Sequence, residues 1–246
     1  MAKGPRKHLK RLAAPGHWQI KRKVRPFTIR ANPGAHALHE GIPIGVIIRD
    51  MLNLTTTLSE TRRVIAQGHV AVDGKTRKDY KYTVGLMDVI TIPAAKTRLR
   101  VVPESRHLLQ LLPIPKKEEN LKPCKITGKN TVKKGHLQLH LHDGRTILLP
   151  VKDPKAKPKH PYKPGDTIFI KLPDQSIQNH IPLKEGITAI ITGGDHTGFV
   201  GKLLKIDPDN RLGTLQGAEK QTILTAIRYV FPLGEDESQI KLPEAN

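Results

Sequence analysis

From Met1 to His39 the chain places ten basic side chains and not one carboxylate; Glu40 is the first acid. The ten are Lys3, Arg6, Lys7, Lys10, Arg11, Lys21, Arg22, Lys23, Arg25 and Arg30. The whole 246-residue protein has a formal charge of +20, so this segment supplies half of it. Such a stretch repels itself in isolation and becomes ordered against a polyanion. Pro5, Pro15, Pro26 and Pro33 interrupt it too often for a long helix, and on this reading it lacks the material for a core. Nucleic acid is the simplest partner: neutralising about ten phosphates gives a log–log salt slope of roughly −7 to −9. A mitochondrial transit peptide is also basic and acid-free, but such peptides are Ser-rich amphipathic helices, and no serine precedes Ser59. A merely solvated charge run is the ordinary reading of a basic cluster. Against it, residues 40–246 carry a further +10.

The length leaves room for two or three small domains. Aromatic residues are only 4% of the chain, so the cores must be aliphatic. Their scarcity argues against single-strand binding on stacked aromatic platforms and for recognition of folded RNA by backbone charge and shape. Cys124 is the one cysteine; it permits no disulfide framework and no cysteine zinc site, and suits a reducing compartment. No apolar run approaches a membrane span, and no signal-peptide core follows the basic segment. A soluble, intracellular, cytoplasmic protein without membrane contact is expected.

Past the arm, Ile44, Ile47, Ile48, Met51 and Leu52 form one stripe of an amphipathic helix. Pro43 suits its first turn, and Arg49 and Asn53 lie on the opposite face. Thr57-x-x-Glu60 is a capping-box signature for a second helix, which contributes Val64 and Ile65 to a core and stops at Gly68. Arg62 and Arg63 occupy its first exposed turn. His69–Val72 reads as a strand, Asp73-Gly74 as a tight turn, and Val89–Ile92 as a strand closed by Pro93. Between them lies a polar run with Lys75, Arg77 and Lys78. Helix pair and small sheet make a unit over 43–93.

From 94 to 175 the pattern is β-rich. Arg98–Val102 alternates, His136–His142 turns at Asp143-Gly144 into Arg145–Leu149 as a hairpin, and Thr167–Leu172 is a further strand. Pro150–Gly165, with five prolines and five lysines, reads as an extended loop, either solvated or reaching for RNA. Over 176–234 the run Glu185–Gly194 alternates and stops at glycines, with Gly198, Gly201 and Lys202 beyond, and Thr222–Phe231 closes the unit. Residues 235–246 are acidic and are expected to point away from an anionic partner.

Constellations that suggest chemistry are few. His136, His140 and His142 share a strand face and could in principle hold zinc, but no carboxylate or cysteine joins them in sequence. A polar row facing solvent or RNA, opposite Leu137, Leu139 and Leu141, is the preferred reading. The glycine cluster Gly193–Gly198 lacks the Gly-Lys-Ser/Thr ending of a phosphate loop. Asp143 and Asp166 sit where turns favour aspartate. No catalytic triad or acid pair stands out, so no catalytic residue, cofactor, metal site or small-molecule substrate is assigned. Trp18, the lone tryptophan, either lies against RNA or anchors the arm on the body.

Two runs are more specific than composition. Arg62–Ile92, RRVIAQGHVAVDGKTRKDYKYTVGLMDVITI, resembles the S-four RNA-binding module, and Gly4–Trp18, GPRKHLKRLAAPGHW, resembles the opening of the archaeal and eukaryotic small-subunit ribosomal protein S-four, e-type. Glu185–Gly194 with its flanking glycines resembles a KOW motif of small SH3-like barrels. The resemblance implies an α+β, multidomain chain: a basic arm (1–42), an S-four-like module (43–93), a β-rich central domain (94–175), a KOW/SH3-like small β-barrel (176–234) and an acidic tail (235–246). It further implies a structural, non-enzymatic protein of the small ribosomal subunit, with rRNA and neighbouring ribosomal proteins as partners. Arm residues Lys3, Arg6, Lys7, Lys10, Arg11, Lys21, Arg22, Lys23 and Arg25 are the expected RNA contacts, with Arg49, Arg62, Arg63, Lys75, Arg77 and Lys78 of the module. The rivals are a cycling factor that docks through the KOW-like unit and an RNA-modifying pseudouridine synthase. The latter needs Gly-Arg-Leu-Asp, and Asn210-Arg211-Leu212-Gly213 lacks the aspartate.

Overall fold

The computed structural model describes residues 8–105, 108–151, 160–217, 221–235 and 238–242. Among them the chain is mostly short β-strands with few helices, and three five-stranded sheets carry most of it. No helix of the described residues is long and apolar enough to cross a membrane.

The basic segment begins as a ribbon, β1 (Leu9–Lys10) antiparallel to β2 (Phe27–Thr28). It is not the coreless arm that its charge suggests. Ala14, Trp18 and Ile29 are buried in the same cluster as Ile42, Ile47, Ile65 and Val84, and the Trp18 indole N–H donates to the Gly41 carbonyl at 2.9 Å. Prolines that forbid a helix still permit turns, and these fold the chain back so that its few apolar side chains meet the body. Of the two readings for Trp18, anchoring on the body is the one observed. Deleting residues 1–39 would therefore remove part of a core, contrary to the picture of a detachable arm.

After β3 (Gly41–Pro43), α1 (Ile44–Val46) runs directly into a π-helical turn at Ile47–Met51. Its wider hydrogen bonding is visible where the Leu52 N–H reaches the Ile47 carbonyl at 2.9 Å. Ile44, Ile47 and Ile48 are buried, and Met51 and Leu52 pack beside them, as the apolar stripe requires. The next helix, α2 (Leu58–Ala66), is capped by the Thr57 hydroxyl, which accepts the Glu60 N–H at 3.2 Å. The Glu60 carboxylate returns to the Thr56 N–H at 3.0 Å, one residue before the usual partner of a capping box. Gly68 ends the helix in the left-handed region, φ +85°.

Strand β4 (Ala71–Val72) turns through Asp73-Gly74, both at positive φ (53° and 72°), into β5 (Lys75–Thr76). Strand β6 (Thr83–Gly85) pairs with β3. β7 (Val89–Ile92), β8 (Thr97–Glu104) and β9 (Leu108–Pro113) complete a sheet of order β5-β4-β7-β8-β9. The expected boundary at 93/94 thus falls inside a sheet. Pro93 does close β7, but a 3-10 turn over Pro93–Ala95 and a left-handed Lys96 return the chain onto it, pairing Ile92 with Thr97.

The second sheet comprises β10 (Leu121–Thr131), β11 (Leu137–Leu141), β12 (Thr146–Leu149), β13 (Thr167–Lys171) and β14 (Ser176–Ile181), in the order β12-β11-β10-β13-β14. The hairpin turns at Asp143-Gly144. Because β14 pairs with β13, the boundary expected at 175/176 also cuts a sheet. Most of the Pro/Lys loop, residues 152–159, lies outside the described residues.

The third sheet contains β15 (Thr188–Ile191), β16 (Val200–Asp207), β17 (Leu212–Gln216), β18 (Thr222–Ala226) and β19 (Val230–Gly234), in the order β18-β17-β16-β15-β19. The single closing strand expected over Thr222–Phe231 is instead two strands on opposite edges, divided by a 3-10 turn at Ile227–Tyr229. Ile240, in the acidic tail, is buried with Met87, Phe169, Ile181, Phe231 and Leu233. The described part of the tail therefore lies against the body, because its apolar residues outweigh its charge in deciding where it goes.

Candidate nucleic-acid interface

Lys3, Arg6 and Lys7 lie outside the described residues. Of the remaining arm cations, Lys10, Lys21, Lys23 and Arg25 are exposed. Arg22 is half-buried and braces the arm, donating to the carbonyls of Ala14 (3.1 Å) and Pro15 (3.0 Å). Arg11 departs from the expectation. It is only 3% exposed, donates to the Lys21 carbonyl at 2.5 Å and pairs with Asp50 at 3.2 Å. Burial with local partners gives it a structural role that the sequence reading did not expect. Spacing along the chain carried no sign of this, since the acid that claims it lies 39 residues away.

Arg49 donates to the same Asp50 at 2.7 Å, so one carboxylate neutralises Arg11 and orients Arg49. Together with Lys21, Arg22, Arg25 and Asn53 these groups line a groove of about 640 Å³ between the arm and the π-helical turn. Ile20, Val24 and Trp18 supply its apolar wall. A concave, cationic wall of this kind concentrates field and draws polyanions.

A second group gathers around two tyrosines. The Arg62 guanidinium lies 4.6 Å from the Tyr80 ring centroid and donates to its hydroxyl at 2.9 Å. Lys81 approaches the same ring at 5.7 Å, and Arg77 sits 4.1 Å over Tyr82. Each such contact is worth about 0.5–1 kcal/mol at exposed sites and holds a long side chain in one pose. Burial pushes the Tyr82 hydroxyl pKa up. Arg63, Lys75 and Lys78 are exposed without being part of either group. An argument from the scarcity of aromatics passes over Tyr80 and Tyr82; their i, i+2 spacing around Lys81 is the available signal. Arg30, also left out of the expected contacts, lines with Asn32, His36 and Lys81 another groove of about 650 Å³.

The histidine row does not form a metal site. His136 Nδ1 accepts the Val151 N–H at 3.1 Å, and His140 Nε2 lies 3.2 Å from the Asn130 side-chain amide. Leu137, Leu139 and Leu141 are buried on the other face. His142 is not solvent- or RNA-facing as expected. Its Nδ1 accepts the Lys125 N–H and its Nε2 donates to the Leu86 carbonyl, both at 3.2 Å, and burial lowers its pKa to about 4. Among the described residues, the donor sets close enough to share an ion are Cys124–His142–Asp143 and Asp73–Asp88–Asp143. The Lys122 ammonium already lies 2.5–2.8 Å from the three carboxylates and supplies the cation there. Cys124 is buried, and burial raises its thiol well above its usual pKa. In the glycine cluster, a Cβ on Gly193 would meet the Tyr229 ring at 2.8 Å, so that glycine serves packing.

Comparisons with known proteins place the chain among its relatives. Residues 95–177 match Ribosomal family S4e, residues 3–39 the RS4NT (NUC023) domain and residues 52–90 the S4 domain. Small ribosomal subunit protein eS4 of Methanocaldococcus jannaschii is 42% identical over 98% of this chain and 99% of its own length. That of Staphylothermus marinus is 43% identical over 98% and 97%. The crystal structure of the 30S ribosomal protein S4e from Thermoplasma acidophilum superposes with a TM-score of 0.65 at 32% identity, covering 79% of this chain and 95% of that one. At such identity over nearly its whole length, the chain belongs to the eS4 family of small ribosomal subunit proteins, a family of structural ribosomal components and not of enzymes.

Proposed function

We propose that the chain holds folded small-subunit rRNA by its phosphate backbone, with the arm and the S4-like module forming one contact surface beside neighbouring ribosomal proteins. The observation that carries this reading is the groove where Lys21, Arg22, Arg25 and Arg49 converge and a single acid, Asp50, answers them. Lys10, Lys23, Arg62, Arg63, Lys75, Arg77 and Lys78 extend the surface, and Lys3, Arg6 and Lys7 continue it in sequence. The ribosome is then the site of action.

The last unit is proposed as the KOW/SH3-like barrel. Its support is the strand order β18-β17-β16-β15-β19 with a 3-10 turn carrying the chain from one edge strand to the other, an arrangement that brings two edges together.

Equilibrium binding to small-subunit rRNA across a salt series tests the reading. Without Arg11 the arm has nine cations, for which a log–log slope of about −6 to −8 is expected from the arm alone. A slope near zero, or equal affinity for any polyanion after the arm cations are neutralised, would remove the assignment.

A further inference from the structure

A buried charge cluster joins the S4-like module to the central sheet, and RNA contact does not account for it. Lys122, on β10, is fully buried, and its Nζ lies 2.8 Å from Asp73 Oδ2, 2.5 Å from Asp88 Oδ1 and 2.8 Å from Asp143 Oδ2. Asp73 and Asp88 come from the module; Asp143 comes from the β11–β12 turn. Arg145 pairs with Asp73 and, at 3.2 Å, with Asp143. His36, in the arm, reaches Asp88 Oδ2 at 3.0 Å. The remaining carboxylate valences are also used: Asp73 Oδ1 accepts the Val89 N–H (3.0 Å), Asp88 Oδ2 the Gly85 N–H (2.9 Å) and Asp143 Oδ1 the Arg145 N–H (3.1 Å).

Three residues further along the same strand, Lys125 reaches the other way. Its Nζ donates to the carbonyls of Ile227 (3.4 Å) and Arg228 (2.9 Å) in the 3-10 turn and of Val230 (2.5 Å) at the start of β19. The half-buried His142 ring stands edge-on to Phe231 at 5.4 Å while its Nε2 holds Leu86. Met87, Phe169 and Phe231, one from each sheet region, share a single apolar cluster. An apolar contact alone tolerates sliding, whereas an ammonium among three carboxylates has one geometry. Buried ion clusters contribute little net stability against apolar substitutes and are best attested as devices that specify arrangement.

We propose that Lys122 and Lys125 are positioning residues for RNA binding: they lock the S4-like module and the C-terminal sheet to β10, so that separated cations meet one folded RNA surface already arranged. The proposal rests on the rRNA-binding reading above. A surface arranged in advance binds more tightly than the same contacts on parts that must first be aligned. Lys122 is fully buried, and the half-buried Lys125 spends its three N–H donors on three carbonyls, so both residues should influence affinity without contributing to the salt slope.

The test uses the full chain carrying Lys122→Met, Lys125→Met or Arg145→Gln, with rRNA affinity, salt slope and far-UV circular dichroism measured for each. Lys125→Met strands no carboxylate and Arg145 is at the cluster's edge, so these two carry the test if Lys122→Met does not fold. Spin labels at Ser59→Cys and Thr222→Cys report the separation of module and C-terminal sheet, Cys124 being buried. Folded variants are expected to bind about five- to tenfold more weakly with an unchanged slope, and their label-to-label distances should broaden. Unchanged affinity and an unchanged distance distribution in folded variants would overturn the proposal. So would a slope reduced by about one, which would make the lysine a phosphate contact. If the unmodified chain does not bind rRNA, the binding reading itself fails, and the distance measurement still judges the lock.

Discussion

Replacing Trp18 by alanine tests whether the basic arm is part of the core. Trp18 is 2% exposed and packs in the cluster that holds Ile42, Ile47 and Ile65. A buried Trp→Ala change costs about 3–5 kcal/mol, combining lost transfer energy with an unfilled cavity. The substitution also removes the indole donor to the Gly41 carbonyl, but His17 Nε2 lies 3.3 Å from the same oxygen, so that acceptor is not stranded. A total near the middle of the range, about 4 kcal/mol, is a large fraction of the ~5–15 kcal/mol that holds a typical domain together. With a urea m-value of about 2 kcal/mol/M, the unfolding midpoint should fall by about 2 M, followed by far-UV circular dichroism because the fluorophore is gone. Trp18→Phe keeps most of the apolar area and should lose about 1–2 kcal/mol. An unchanged midpoint in Trp18→Ala would show that the arm is a dispensable appendage and refute the packing argument.

Other expectations separate structural from RNA-facing cations. Lys21→Ala or Arg25→Ala should each reduce the rRNA salt slope by about 0.7–0.9 with no change in thermal midpoint, whereas Arg11→Ala should lower the midpoint and leave the slope alone. Tyr80→Ala should weaken binding through loss of the platform under Arg62, and Tyr80→Phe should restore most of it; rRNA titration distinguishes them. Asp88 has a strongly depressed pKa: burial opposes its ionisation, but Lys122 and then His36 outweigh burial. Its contribution to stability is therefore present above an unfolded value of about 3.9 and is lost as pH falls below it, so Asp88→Asn should flatten the acid limb of a stability–pH curve. Cys124 should resist thiol reagents in the native chain and react on unfolding, as a reagent time course in and out of urea would show.

Local chemistry was legible wherever one short segment decides the outcome. Thr57 and Glu60 announce the start of α2, Asp73-Gly74 announces its hairpin, and the alternating Leu137, Leu139 and Leu141 place β11 with one face inward. What escaped depends on residues far apart in sequence. Lys122 reads as one more solvated lysine until Asp88 and Asp73, 34 and 49 residues away, are folded onto it. Arg11 is claimed in the same way by Asp50. The strand pairing across residue 93 escaped for a related reason: Pro93 ends a strand, but only the left-handed Lys96 beyond it shows that the chain returns to the same sheet. The apolar residues of the arm were visible, and the error was to let charge and proline content decide that they had nothing to pack against.

The central claim, a permanent place in the small ribosomal subunit held by phosphate contacts, is tested most directly by sedimenting lysate through a high-salt sucrose gradient and probing the fractions for this chain. The account predicts that the protein remains in the small-subunit peak, because a groove and an anchored arm release many phosphates only together. Release to the top of the gradient while other small-subunit proteins stay bound would contradict it and identify a cycling factor.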